Sequence, residues 1–203
     1  MTQERIPAVL SDLVKQLGKL PGLGPKSAMR VAMTLLEWPE NVTRKLGQSI
    51  FELRDRLCLC SRCFGLTQSD PCPICSDPQR TRSTLCLVSE WDSMLTLDQG
   101  GFYRGQYLVL GGLLVPLEQK SGDKLHMEAL LKRLAEGEVQ ELILALGATS
   151  DAETTTSWLL QIVRDRFPNV RISRLAQGMP LGSEVKYMDH ETLRQSLQFR
   201  QNL

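Results

Sequence analysis

The 203-residue sequence predicts an α/β protein built from several parts, and three observations predict it. Apolar residues recur at helical intervals through the first 57 positions. Four cysteines are then compressed into residues 60–75. From residue 84 onward, short apolar runs alternate with helix-patterned stretches, the pattern of a parallel sheet flanked by helices.

The elements follow in order. Residues 6–17 place Ile6, Val9, Leu10, Leu13, Val14 and Leu17 on one helix face. The stretch Leu20-Pro21-Gly22-Leu23-Gly24-Pro25 must turn, because two Gly and two Pro cannot continue a helix. Helical spacing resumes from Lys26 to Leu36, and Trp38-Pro39 ends it. Residues 41–57 predict a further helix carrying Val42, Leu46, Ile50, Leu53 and Leu57. Beyond the cysteines, strands are predicted at 85–88, 107–110, 141–146 and 170–175. Helices are predicted at 93–99, 125–136 and 152–166, and Asp189 caps a last one running to about Gln198.

The cysteines read as Cys60-x2-Cys63, eight residues, then Cys72-x2-Cys75. A two-residue spacing lets a tight turn aim both sulfurs at one ion, and two such turns complete a tetrahedral four-thiolate zinc site. Four cysteines fill the coordination sphere, so this zinc holds structure and leaves no position for water. The intervening residues are too few for a core of their own, and metal binding supplies the folding energy. Cys58 competes with Cys60 as a ligand, but Cys60 has the better spacing. Cys86 lies in an apolar run and reads as a small buried hydrophobe.

Composition is that of an ordinary globular protein, with no membrane-length apolar run and no opening signal segment. A cytoplasmic location follows, where reduced thiols favour metal over disulfides. Net charge is +1 but divided. Residues 1–82 hold 12 Lys/Arg against 8 Asp/Glu, and residues 83–203 hold 12 against 15. An N-terminal part facing an anion fits that split.

The turn at 20–25 has the makings of an anion site. Gly22 and Gly24 let backbone N–H groups approach a ligand, and the start of the next helix adds its own. Lys26 and Arg30, four apart, share one helix face behind it. The segment Gly24-Pro25-Lys26-Ser27 is not a nucleotide-binding Walker loop. That motif needs Gly directly before the Lys and another five residues earlier, where this sequence has Pro25 and Leu20.

The segment Leu20-Pro21-Gly22-Leu23-Gly24-Pro25-Lys26-Ser27 resembles a helix-hairpin-helix motif, a sequence-independent binder of DNA backbone. The order of hairpin, cysteine module and α/β domain resembles the bacterial RecR family of recombination mediators over essentially residues 1–203. Gly178-Met179-Pro180-Leu181-Gly182-Ser183-Glu184 and Tyr187-Met188-Asp189 are similar to that family's C-terminal signature. The resemblance implies four parts: a hairpin domain at 1–57, a four-cysteine zinc finger at 58–82, a Toprim-like domain at 83–178, and a C-terminal strand and helix at 179–203 that make an oligomer contact. It also implies DNA repair with RecO and RecF, promoting RecA loading at gapped DNA in the RecBC-independent pathway. Homo-oligomers, as dimers or tetrameric rings, and a place at the nucleoid are implied too.

Toprim domains that catalyse carry a Glu after the first strand and an acidic pair after the third, which together hold Mg²⁺. By the resemblance, Ser89 stands at the Glu position. Glu90 follows it but points to the other face, and Asp151 and Glu153 supply the acidic pair. The carboxylates Glu90, Asp151 and Glu153 therefore read as a weak Mg²⁺ or partner contact. The plain alternative for Asp151 and Glu153 is compensation of a helix dipole. His126 and His190 have no partnering motif and read as surface or capping residues, while Trp91 and Trp158 read as packing residues. The sequence thus favours a non-enzymatic DNA-repair mediator. A Mg²⁺-dependent Toprim nuclease or strand-transfer enzyme is the alternative, and a zinc-stapled interaction module that never touches DNA is a third reading.

Overall fold

A computed structural model of the chain describes residues 6–115, 122 and 125–200; the outermost residues of the first and last sequence-assigned parts lie outside these. The chain divides into two compact units, Met1–Arg56 and Leu57–Leu203.

The first unit is helical. Helix α1 spans Ala8–Leu17, α2 Pro25–Glu37 and α3 Glu40–Glu52. Gly24 and Pro25 start α2, since Pro is preorganised for the first helical position and needs no N–H there. Ala28 and Ala32 are this unit's buried residues among those described, and their small side chains let α2 lie close to its neighbours. The third helix is shorter than its apolar spacing predicts. It stops at Glu52, whose carbonyl accepts from the N–H groups of both Asp55 and Arg56 in a closing turn. Leu57, the last residue of the apolar spacing, belongs to the second unit.

The second unit opens with the antiparallel ribbon β1 (Cys58–Leu59) and β2 (Leu66–Thr67), then the short helix α4 (Pro73–Ser76). The rest is an α/β layer: β3 (Thr84–Val88), α5 (Trp91–Gln99), β4 (Gln106–Val109), α6 (Met127–Ala135), β5 (Glu141–Ala145), α7 (Ser150–Arg166), β6 (Arg171–Arg174) and α8 (His190–Gln198). The four long strands are parallel in the order β4-β3-β5-β6. Residues 179–200 hold a 3-10 turn at Val185–Tyr187 and α8, with no strand among the described residues. Pro180 lacks an N–H to donate to a ladder, and Gly182 sits at φ +84°, away from extended backbone.

Strand alternation divides the core in two. Leu85, Leu87, Leu108, Leu110, Leu142 and Leu144 face one side, and Leu130, Leu134, Leu159 and Val163 of α6 and α7 cover them. Cys86, Val88, Tyr107, Val109 and Ala145 face the other side. There the cover is Met94 of α5 together with the four paired cysteines themselves. The cysteine module is therefore a layer of the α/β core, and the division between the units falls before it, at Arg56.

Candidate metal centre and nucleic-acid interface

Cys60, Cys63, Cys72 and Cys75 bring their sulfurs within 4.8 Å of one another, and all four are buried. A tetrahedral zinc–thiolate site with bonds near 2.3 Å separates its sulfurs by about 3.8 Å. The Cys63 and Cys72 sulfurs lie 3.6 Å apart, so the donor set fits the ion. Among the described residues this is the only group of three or more His, Cys, Asp or Glu placed to hold a metal. Cys58 stays outside it: the residue is exposed and its thiol donates to the Thr67 carbonyl at 3.5 Å.

Each knuckle is shaped by its backbone. Phe64 N–H donates to the Cys60 carbonyl, Cys60 N–H donates to the Gly65 carbonyl, and Phe64 takes the left-handed conformation at φ 60°. Backbone N–H groups also donate to sulfur: Gly65 to Cys63, Cys72 to Cys60 and Cys75 to Cys72, at 3.3–3.4 Å. Such bonds suit thiolates, which are the metal-ligating form. A hydrogen bond from Cys75 lowers the Cys63 thiol to about 6, outweighing burial. Cys75 itself is raised, first because it keeps the proton that it donates to Cys63 and then by burial. Burial pushes Cys72 up to about 11. A bound divalent cation would favour the thiolate form of its ligands.

In the hairpin, Gly22 adopts φ +78°, a conformation that glycine takes without strain. Gly24 lies at φ −72° and caps α2. A Cβ at either glycine would meet nothing within 4 Å, so internal packing does not demand glycine there. The bare backbone is open to an outside ligand. The first turn of α2 leaves its N–H groups without helical acceptors, as every helix start does. Lys26 and Arg30 are both exposed, and no described residue forms an ion pair with either.

The acidic candidates are not assembled into one site. Glu90 is exposed and precedes α5 without a capping bond from its side chain. Ser89 uses its carbonyl to accept from the N–H groups of Gly111 and Gly112. Asp151 and Glu153 lie in the first turn of α7, whose cap is the Thr149 hydroxyl. The Glu153 carboxylate accepts from Arg174 at 3.0 and 3.1 Å and from Gln177 at 3.1 Å. Its charge is thus already paired within the chain.

His126 precedes α6, stacks on Phe64 with ring centroids 4.0 Å apart, and contacts the Val109 carbonyl through Nδ1 at 2.9 Å. His190 is exposed at the start of α8. Trp91 packs beneath the cysteines and Trp158 against the opposite core. Cys86 is buried, and burial raises its thiol to about 12. Sequence reasoning missed a group of basic side chains beside the cysteine module, on α6 and before β3. The one available signal was Arg62, held between two metal-binding cysteines.

Four family models match successive stretches of the chain. The helix-hairpin-helix model of RecR proteins matches residues 10–53, and their four-cysteine zinc-finger model matches 57–77. A Toprim domain model matches 83–176, and the RecR C-terminal model matches 178–201. The zinc-finger match and the sulfur geometry together identify a structural zinc site at Cys60, Cys63, Cys72 and Cys75. The chain is 59% identical over 200 residues to the recombination protein RecR of Nitratidesulfovibrio vulgaris, covering 98% of this chain and 100% of that protein. It is 54% identical to the recombination protein RecR of Maridesulfovibrio salexigens over 98% and 100% of the two chains. For that of Syntrophobacter fumaroxidans the identity is 42%, over 99% of each. With four domain models matched in order and relatives aligned end to end, the chain belongs to the RecR family of DNA recombination and repair proteins.

Proposed function

We propose that this chain is a non-enzymatic mediator that binds DNA backbone without sequence preference, assembles as a homo-oligomer, and acts with RecO and RecF to promote RecA loading at gapped DNA. The hairpin carries the reading: two glycines that packing does not require sit beside Lys26 and Arg30, exposed and without ion-pair partners among the described residues. Such a turn offers N–H groups and two cations to phosphate, and nothing in it reads bases. A single hairpin binds weakly and salt-sensitively, and several copies in one assembly multiply that affinity.

Self-association is supported by apolar surface in both units. Val9 and Phe51 are more than 80% exposed in the first unit; Leu181, Tyr187 and Leu197 are exposed near the C-terminus of the second. The non-enzymatic reading is supported by Ser89, by the pairing of Glu153 with Arg174, and by a zinc site with no open position. Among the described residues, no helix is long and apolar enough to cross a membrane, in keeping with a protein working at the nucleoid.

The test is the double variant Lys26→Ala/Arg30→Ala, titrated with duplex and gapped DNA over a range of salt. Binding should weaken alike on all sequences, and the slope of log K against log salt should fall by about 2, near 0.9 per lost phosphate contact. Unchanged binding would remove the hairpin from the interface. Metal-dependent DNA cleavage lost in Asp151→Asn would replace the mediator with an enzyme.

A further inference from the structure

An open cavity of about 620 Å³ lies wholly within the second unit, beside the cysteine module. Four cations from three places line it: Arg62 between the zinc ligands Cys60 and Cys63, Arg82 just before β3, and Lys132 and Arg133 on the last turn of α6. Two carboxylates, Glu136 and Glu138, share the lining, which leaves a net charge of +2.

The ion pairs do not use up the donors. Arg62 and Arg133 approach Glu136 at 3.8 and 3.5 Å, and neither contact is a hydrogen bond. Arg82 donates to Glu138 only at 3.5 Å. Lys132 is exposed and pairs with no described residue. Arg133 is the most buried of the four cations. It is 93% buried by its 7% exposure, yet among the described residues its guanidinium makes no hydrogen bond. None of its nitrogens is both sealed from solvent and unpartnered, so its forked N–H donors open onto the cavity. A planar or tetrahedral oxyanion in the cavity would satisfy them.

We propose that this cavity is a second phosphate-binding site, seating the backbone of the DNA that the hairpin engages; the inference rests on the DNA-binding reading above. Phosphodiester fits better than an acidic protein segment. A protein partner needs an apolar anchor, and the apolar walls here are Ala129 and Phe64, whose ring is already stacked on His126. Zinc then has a role in recognition as well as in folding. By holding Cys60 and Cys63, it holds the turn that presents Arg62.

The test uses the full-length, zinc-loaded protein and a labelled DNA duplex across a salt series. In Arg62→Ala/Lys132→Ala, affinity at fixed salt should fall about tenfold and the salt slope should fall by about 1 per cation removed. Adding Lys26→Ala/Arg30→Ala should lower the slope further. Lys132→Glu alone, at an exposed position, guards against misfolding; with wild-type zinc content and melting temperature it should still weaken binding. Wild-type affinity and slope in the cavity variants, with loss in the hairpin variant, would overturn this site and leave the DNA-binding reading standing. No binding by the wild type would overturn both. Amide resonances around Arg62 separate the sources of anion. They should shift with DNA at concentrations where inorganic phosphate and polyglutamate do not move them; the reverse would assign the cavity to a free anion or an acidic peptide and sink the proposal.

Discussion

The Val109 N–H donates to the Cys63 carbonyl at 2.8 Å. β4 is the edge strand of the sheet, and a peptide of the metal site covers the edge that would otherwise stay open to another strand. Cys63 thus joins the zinc to the sheet through its backbone as well as through its packing.

That relationship predicts what zinc removal does. Binding energy in small zinc modules is about 10 kcal/mol or more, comparable with the whole stability of a domain. Chelation, or Cys63→Ser, should therefore unfold the α/β layer together with the module. Far-UV circular dichroism and tryptophan fluorescence should report one shared transition for the second unit. A sheet that stays folded in the chelated protein would mean the cysteine layer is dispensable.

Gly65 lies where a side chain has no room. A Cβ would stand 2.8 Å from Met94 Cε, 3.1 Å from Trp91 Cδ1 and 3.4 Å from Cys63 Sγ. Met94 can swing its flexible end away, but the indole ring has less freedom. Gly65→Ala should cost about 1–3 kcal/mol, the range for overpacking a core. Urea midpoints give the stability, and competition with a chelator should show weaker zinc retention.

The six cysteines should separate by reactivity. With zinc bound, a disulfide reagent should modify Cys58, which is exposed, and spare the four ligands. Cys86 should also be spared, since burial raises its thiol to about 12 and leaves almost no thiolate at neutral pH. One fast thiol per native chain is the expected count; mass mapping would locate it. Modification of Cys86 at a similar rate would contradict the packing of the sheet.

Arg174 of β6 ties two helices to the sheet, α7 through Glu153 and α8 through its C-cap Phe199. It pairs with Glu153 and lies over the Phe199 ring at 5.5 Å from its centroid. Arg174→Ala should speed amide exchange across residues 190–198 while changing global stability by no more than about 1 kcal/mol, as expected for a partly exposed pair. Because Glu153 is already paired, Glu153→Gln should leave the response to Mg²⁺ the same as in wild type. Calorimetric titration of both proteins checks this.

The local pattern along the chain was enough to locate the helices around the hairpin, the four strands, the capped final helix and all four metal ligands. These features rest on short-range chemistry: apolar period, Gly and Pro in turns, and the reach of two sulfurs across a knuckle. The third helix shows where that reasoning stops. Its apolar spacing runs on to Leu57, but the chain turns back on the Glu52 carbonyl and Leu57 belongs to the second unit. The same holds for the cysteine module, read as a small stapled segment and found to share the cover of one sheet face with α5. Residues far apart in sequence set that outcome, as do the meeting of Arg62 with Arg133 and the capture of Glu153 by Arg174. Periodicity along one chain carries no information about which distant residue arrives opposite. Only the packed sheet, with its fixed order and register, brings those side chains within reach of one another.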